Sequence, residues 1–108
     1  MSERVKYLTP FVITLRDLSP RKQKQLMSCC NGQHIRAFQE VALNLVKGTV
    51  ELTPDQLKIC QKWHKPIKVL ARKDYSLKDK KRLLVQKGGF LGAILPIIAS
   101  VLGSVLSS

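Results

Sequence analysis

Two pairs of metal-capable side chains share one spacing: Cys30-x-x-x-His34 and Cys60-x-x-x-His64. Residues four apart share a helix face, and four such ligands would satisfy a tetrahedral zinc site. Two features weigh against it. Asn31-Gly32 places a turn signal inside the first pair, and zinc fingers commonly join a Cys-x-x-Cys to a His-x-x-x-His. The simpler reading makes Cys29, Cys30 and Cys60 small apolar fillers, with no metal or other cofactor expected. Three cysteines, two of them adjacent, fit a reducing compartment better than a disulfide scaffold. Catalysis has no other foothold. A Cys and a His are present without a third orienting group. The run Gly88-Gly89-Phe90-Leu91-Gly92 lacks the Lys-Ser/Thr pair and the preceding strand of a phosphate loop. The chain reads as a non-enzyme.

The composition favours a different chemistry, attraction to a polyanion. Lys and Arg number 19 against 7 Asp and Glu in 108 residues, a net charge of +12. Acidic groups are too scarce for most two-carboxylate or Mg-carboxylate chemistry. The charge is also uneven. Residues 1–57 carry a net +3, residues 58–87 a net +9, and residues 88–108 no charged side chain. The basic segment comprises Lys58, Lys62, Lys65, Lys68, Arg72, Lys73, Lys78, Lys80, Lys81, Arg82 and Lys87. Lys58, Lys62 and Lys65 are spaced for one helix face, with Trp63 and His64 beside them. These lysines suit a surface that tracks phosphates, whose binding would fall steeply with salt. Anionic membrane contact through the same side chains is the alternative. Trp63 is expected to anchor a small core, and Tyr75 to act as a hydrophobic staple ahead of Ser76.

The elements that must carry these residues are helices. Hydrophobic residues make up 44% of the chain and aromatics only 6%, so a core must be built mainly from Leu, Ile, Val and Ala. The start is ambiguous: Tyr7, Leu8, Phe11, Val12, Ile13 and Leu15 fit a short strand or a helix broken around Pro10, and the favoured reading is a helix from about Pro10 to Leu18. Ser19-Pro20 opens a helix running to about Cys29, and Asn31-Gly32 reads as a turn. Ile35, Phe38, Ala42, Leu45 and Val46 then recur at helical spacing up to Gly48. Thr53-Pro54-Asp55-Gln56 is a capping-box start, and the helix it opens is interrupted before Pro66. Ser76 caps one more helix, to about Lys87, ahead of Gly88-Gly89. The expectation is an all-α protein, a small bundle of four to five short helices with an apolar C-terminal helical tail. Residues 1–57 form the near-neutral part of the body and 58–87 its basic segment. No N-terminal signal peptide is expected, because Pro10 and Arg16 interrupt the first apolar stretch.

The segment after Gly89 is of another kind. Seventeen uncharged, mostly apolar residues run from Phe90 to Leu106. As a helix they would span about 25 Å, marginal against a hydrocarbon layer of about 30 Å. Gly92, Pro96, Ala99, Ser100, Gly103, Ser104 and Ser107 fall on one side; Leu91, Ile94, Leu95, Ile98, Val101, Leu102 and Val105 fall on the other. Small residues four apart permit close helix approach, and the adjoining basic run would hold the segment at anionic headgroups.

The stretch Lys80-Lys81-Arg82-Leu83-Leu84-Val85-Gln86-Lys87-Gly88-Gly89-Phe90-Leu91-Gly92-Ala93-Ile94-Leu95-Pro96 resembles the end of the adenovirus core protein X precursor: a basic region, a Gly-Gly pair, then an apolar tail. The X-like small proteins of Maverick (Polinton) elements and adintoviruses are more similar still. Their helical part resembles Gln33–Lys47 and Thr53–Lys73, so the likeness covers about residues 33–104. The resemblance implies a virion core protein that is packaged with and condenses the genome, in a virion assembled in the host nucleus. It also implies a maturation protease as a partner. That cleavage site would be Gln86, Lys87, Gly88 and Gly89 with Phe90 after the cut, Gln standing where Met, Leu or Ile is more usual. Read without the resemblance, Gly88-Gly89 is a helix stop and hinge. The chain departs from the adenoviral protein in being Lys-rich and having a helical core. Lysine gives phosphate attraction without bidentate geometry, which favours contact independent of sequence.

These observations lead to three expectations. The first is a non-enzymatic core protein that neutralises double-stranded DNA through residues 58–87, with the tail as a detachable handle. The second is a membrane-active or membrane-anchored protein using Phe90, Leu91, Ile94, Leu95, Ile98, Val101, Leu102 and Val105. The third is a module that binds a capsid protein or its own copies through the tail.

Overall fold

The computed structural model describes the backbone of residues 3–107 and the side chains of residues 3–103. Seven helices and no strand occur among the described residues: α1 Glu3–Arg16, α2 Pro20–Ser28, α3 Gly32–Lys47, α4 Pro54–Lys62, α5 His64–Ala71, α6 Leu77–Gln86 and α7 Phe90–Ser107. The all-α expectation holds, with more helices than the four or five read from the sequence.

Most starts and stops are local side-chain chemistry. Ser19, Thr53 and Ser76 each accept a hydrogen bond from the backbone three residues on, at Lys22, Gln56 and Asp79. Each satisfies an amide that a helix N-terminus leaves without a partner. Gln56 returns the bond to the Thr53 amide and completes a capping box. Gly48 ends α3 with φ +71°, a conformation that costs glycine nothing.

Two boundaries and one side-chain role depart from expectation. Helix α1 begins at Glu3 and runs straight through Pro10. Its buried residues Val5, Leu8, Val12 and Leu15 keep one helical stripe on both sides of the proline, so packing outweighs the ~3 kcal/mol cost of an interior proline. Asn31 is not the centre of a turn but the N-cap of α3, with Gly32 its first residue. Its Oδ1 accepts from Gln33 and His34 amides, while His34 Nδ1 accepts from the Asn31 amide. The break expected before Pro66 is there, at Trp63, which leaves helical geometry at φ −102°, ψ 24°. Pro66 therefore lies in the first turn of α5, where a missing N–H is harmless. Tyr75 is no staple: it is 39% exposed, with the Arg72 guanidinium 5.3 Å over its ring.

The largest packed faces join α3 to α5, α1 to α7 and α1 to α3, which sets the order α7–α1–α3–α5. Helix α6 lies across them against α2, α3, α5 and α7, within extents of 30 × 28 × 26 Å. The apolar C-terminal segment is thus not a tail. Phe90, Leu91, Ile94, Leu95, Ile97, Ile98, Val101 and Leu102 are all buried, while Gly92, Pro96, Ser100 and Gly103 face outward. The stripe of small residues is the solvent side. The side chains expected at Ser104, Val105 and Ser107 lie outside the described ones. No single described helix is long and apolar enough to cross a membrane; α6 and α7 meet that test only jointly, bent by 108°.

Histidine 34 makes part of this fold sensitive to pH. Its ring stacks on Phe11 at 4.3 Å and Tyr7 at 5.2 Å. Burial holds its pKa below the ordinary histidine value. In the window between its folded pKa and about 6.5, the unfolded chain takes up a proton that the folded chain refuses. Stability is therefore full above about pH 6.5 and falls as pH drops toward the folded pKa. A lower melting temperature at pH 5 than at pH 7 is expected. His34→Gln should flatten that difference, because Gln at this position still accepts from the Asn31 amide but does not titrate. Calorimetric melts at both pH values check this, and an equal slope in the variant would remove His34 as the cause.

Candidate nucleic-acid interface

The basic segment is spread over three helices, the loop between α5 and α6, and the α6–α7 corner, where Lys87 lies. Lys58 and Lys62 lie on α4, and Lys65 and Lys68 on α5 beyond the break at Trp63. The three lysines expected on one helix face therefore sit on two helices. Arg72, Lys73, Lys78, Arg82 and Lys87 continue the series. These nine side chains are exposed.

Lys80 and Lys81 do something else. Lys80 is fully buried, with Nζ donating to Gln39 Oε1 at 2.6 Å across the α6–α3 contact. Burial pushes its ammonium below the usual lysine range, with Asp74 partly opposing. Lys80 is thus no phosphate ligand in this fold. Lys81 is half-buried and donates to the Cys30 carbonyl at 3.1 Å. A cation just past the end of α2 complements the partial negative charge of that helix terminus. Nothing local marks either role: both lysines sit in a basic run, and only the packing of α6 on α2 and α3 separates them from their neighbours.

Acidic compensation is slight. Asp74 takes Arg72 through two hydrogen bonds, Nε to Oδ1 at 2.8 Å and Nη2 to Oδ2 at 2.6 Å. Arg72 holds the Asp74 carboxyl below its ordinary value, chiefly through those hydrogen bonds. Asp79 sits 3.8 Å from Arg82. Among the described residues, Lys58, Lys65, Lys68, Lys73, Lys78 and Lys87 have no ion-pair partner. Lys62 lies 5.5 Å over the Trp63 ring. That ring is half-buried and packs on Phe90, 5.7 Å between centroids, so Trp63 is the expected anchor at the edge of the core.

The two Cys–His pairs do not converge. Among the described residues no three His, Cys, Asp or Glu side chains could hold a metal. Cys30 is buried beside Lys81, Cys60 is half-buried on α4, and His34 Nδ1 already accepts a backbone amide. Burial raises both the Cys30 and Cys60 thiols, which disfavours the thiolate a metal requires.

Gly88 and Gly89 form the corner between α6 and α7. Gly89 has φ +79° and lies against the Trp63 ring. The Phe90 amide donates to the Lys87 carbonyl, and the Gly89 carbonyl accepts from Ala93. Phe90 is fully buried. The bond expected to be cut is therefore held in a folded turn, with its downstream residue in the core.

Set against known protein families, curated proteins and solved structures, the chain has no match in any of the three comparisons.

Proposed function

We propose that this chain is a non-enzymatic protein that binds double-stranded DNA without sequence preference and neutralises its phosphates. One observation carries the reading. Nine exposed cations stand on α4, α5, α6 and the segments that follow α5 and α6, and the only acids among residues 58–87 are Asp74 and Asp79, each already paired. Long flexible lysines on short helices suit phosphates in many registers, and offer little for reading base edges. The resemblance of residues 33–104 to adenovirus-type core proteins supports extending this to genome packaging in a virion core. The folded position of α7 changes how the protein would act: the binding species is the whole chain, not a basic segment with a detachable handle. The membrane and coat-partner readings draw less support, since the large apolar side chains of α7 face inward.

The test is titration of the full chain onto random-sequence duplex across a salt series. Each phosphate contact contributes about −0.9 to the slope of log affinity against log salt. The expected slope corresponds to several contacts, with random and mixed sequences binding alike. Replacing Lys58, Lys62, Lys65 and Lys68 by Glu should make the slope shallower. A shallow slope in the native chain, or weak binding even at low salt, overturns the proposal.

A further inference from the structure

The surface around Lys65 and Lys68 is not only basic. Between α3 and α5 runs an open trough of about 550 Å3 whose floor is apolar: Leu43, Val46, Val69 and Ala71. Val46 is 43% exposed. Every charged side chain lining the trough is cationic: Lys65, Lys68 and Arg72. They are spaced three and four residues apart, which aligns them along one face of α5 and its end. Arg72 is fixed in place by Asp74 and the Tyr75 ring. Across Val69 a second hollow of about 390 Å3 continues toward Tyr75, Leu83 and Lys87.

We propose that this trough is a docking site for an acidic amphipathic helix of a partner protein. The occupant follows from what the surface leaves unmatched. A DNA duplex brings phosphates to Lys65 and Lys68 but nothing to cover Leu43 and Val46. A fatty-acyl chain covers the floor but brings one carboxylate to the two cations without an ion-pair partner, Lys65 and Lys68. A helix with apolar residues on one face and carboxylates three and four apart along its flank does both, the usual mode of helix-in-groove recognition. Burying Val46 and Leu43 supplies affinity, and the lysine row fixes orientation. The site shares Lys65 and Lys68 with the proposed DNA surface, so helix and duplex compete. The inference does not depend on DNA binding, because the apolar floor is needed only by the helix.

The experiment uses the full chain and a fluorescein-labelled synthetic peptide of about 14 residues. Leu is placed at i, i+3, i+7 and i+10 and Glu along both flanks. A scrambled peptide of the same composition is the control for charge alone. The native chain is expected to bind the patterned peptide at least about tenfold more tightly than the scramble. Val46→Asp, at an exposed position, should cost about tenfold with helicity and melting unchanged. Lys65→Glu with Lys68→Glu should cost as much. Equal binding of patterned and scrambled peptides, or no effect of Val46→Asp, overturns the proposal. Anionic vesicles of phosphatidylcholine and phosphatidylserine form the third arm. If Val46→Asp abolishes vesicle binding and spares the peptide, the occupant is a lipid and the proposal fails. A salt-dependent duplex titration that succeeds while these fail leaves DNA binding standing and removes the helix site alone.

Discussion

A chain ended at Gly89 is expected to lose its cooperative thermal transition altogether. The reason lies in where the apolar residues of α7 go. Eight of them, from Phe90 to Leu102, are buried, and α1 supplies Val5, Leu8, Val12 and Leu15 to the shared core. Removing α7 exposes that face of α1, and α1 is in turn the layer against which α3 packs. Burial of one large apolar side chain stabilises by ~1.5–3 kcal/mol. Gross burial by eight of them is ~12–24 kcal/mol, large beside the ~5–15 kcal/mol net stability of a typical domain, and their removal also uncovers the face of α1 they pack against. Circular dichroism of the 1–89 chain should show reduced helicity, with a broad thermal response in place of a transition. A gentler variant separates loss of packing from loss of chain: Ile94→Ala should lower stability by ~2–5 kcal/mol while leaving a two-state melt. If the 1–89 chain melts as the full chain does, α7 is an appendage and the layer order given above is wrong.

The sequence made the helix ends legible where the chemistry is local. Ser19, Thr53, Ser76 and Gly48 act within a few residues of themselves, so their caps could be read without the fold. Asn31-Gly32 shows the limit of such reading. The same pair serves as a turn or as a cap, and the His34 ring returning to the Asn31 amide decides between them. The path of α1 through Pro10 was not legible, because the interruption is local and the reward is the contact with α3 and α7. The burial of Lys80 was hidden for the same reason, as its partner Gln39 is 41 residues away. The role of α7 was the hardest to read. A helix apolar along most of its length has the same composition whether lipid or protein covers it; only the inward stripe against α1 decides. The basic surface was the reverse case. Charge counting found the basic segment, and nine of its eleven cations are exposed.

Trp63→Ala is expected to speed cleavage after Gly89 by about two orders of magnitude, if the bond is offered to a protease of the Gly-Gly-cutting maturation type. Such proteases bind several residues in extended form, whereas this corner is folded: Gly89 at φ +79°, the Phe90 amide bonded to Lys87, and the Phe90 ring in the core. Cutting must wait for the α6–α7 corner to open. When opening and closing are fast beside cleavage, the rate follows the population of the open form. Trp63 is what closes the corner from outside, its ring 5.7 Å from Phe90 and 3.6 Å from the position a Gly89 Cβ would take. Truncating a half-buried Trp costs about 3 kcal/mol, at the low end for large aromatics. Every ~1.4 kcal/mol shifts a population tenfold, which gives the hundredfold figure. The measurement is the initial cleavage rate of native and variant chains, beside a short peptide spanning residues 82–94 that has no fold to open. The peptide should be cut fastest, the variant next and the native chain slowest. Equal rates for native and variant chains, with the variant melting lower, would mean that the corner is open to the protease in the native state. Cleavage after Gly89 would then need no unfolding. With the expected ranking, cleavage and unfolding of the body are one event, and any partner that holds α7 against α1 also protects the bond.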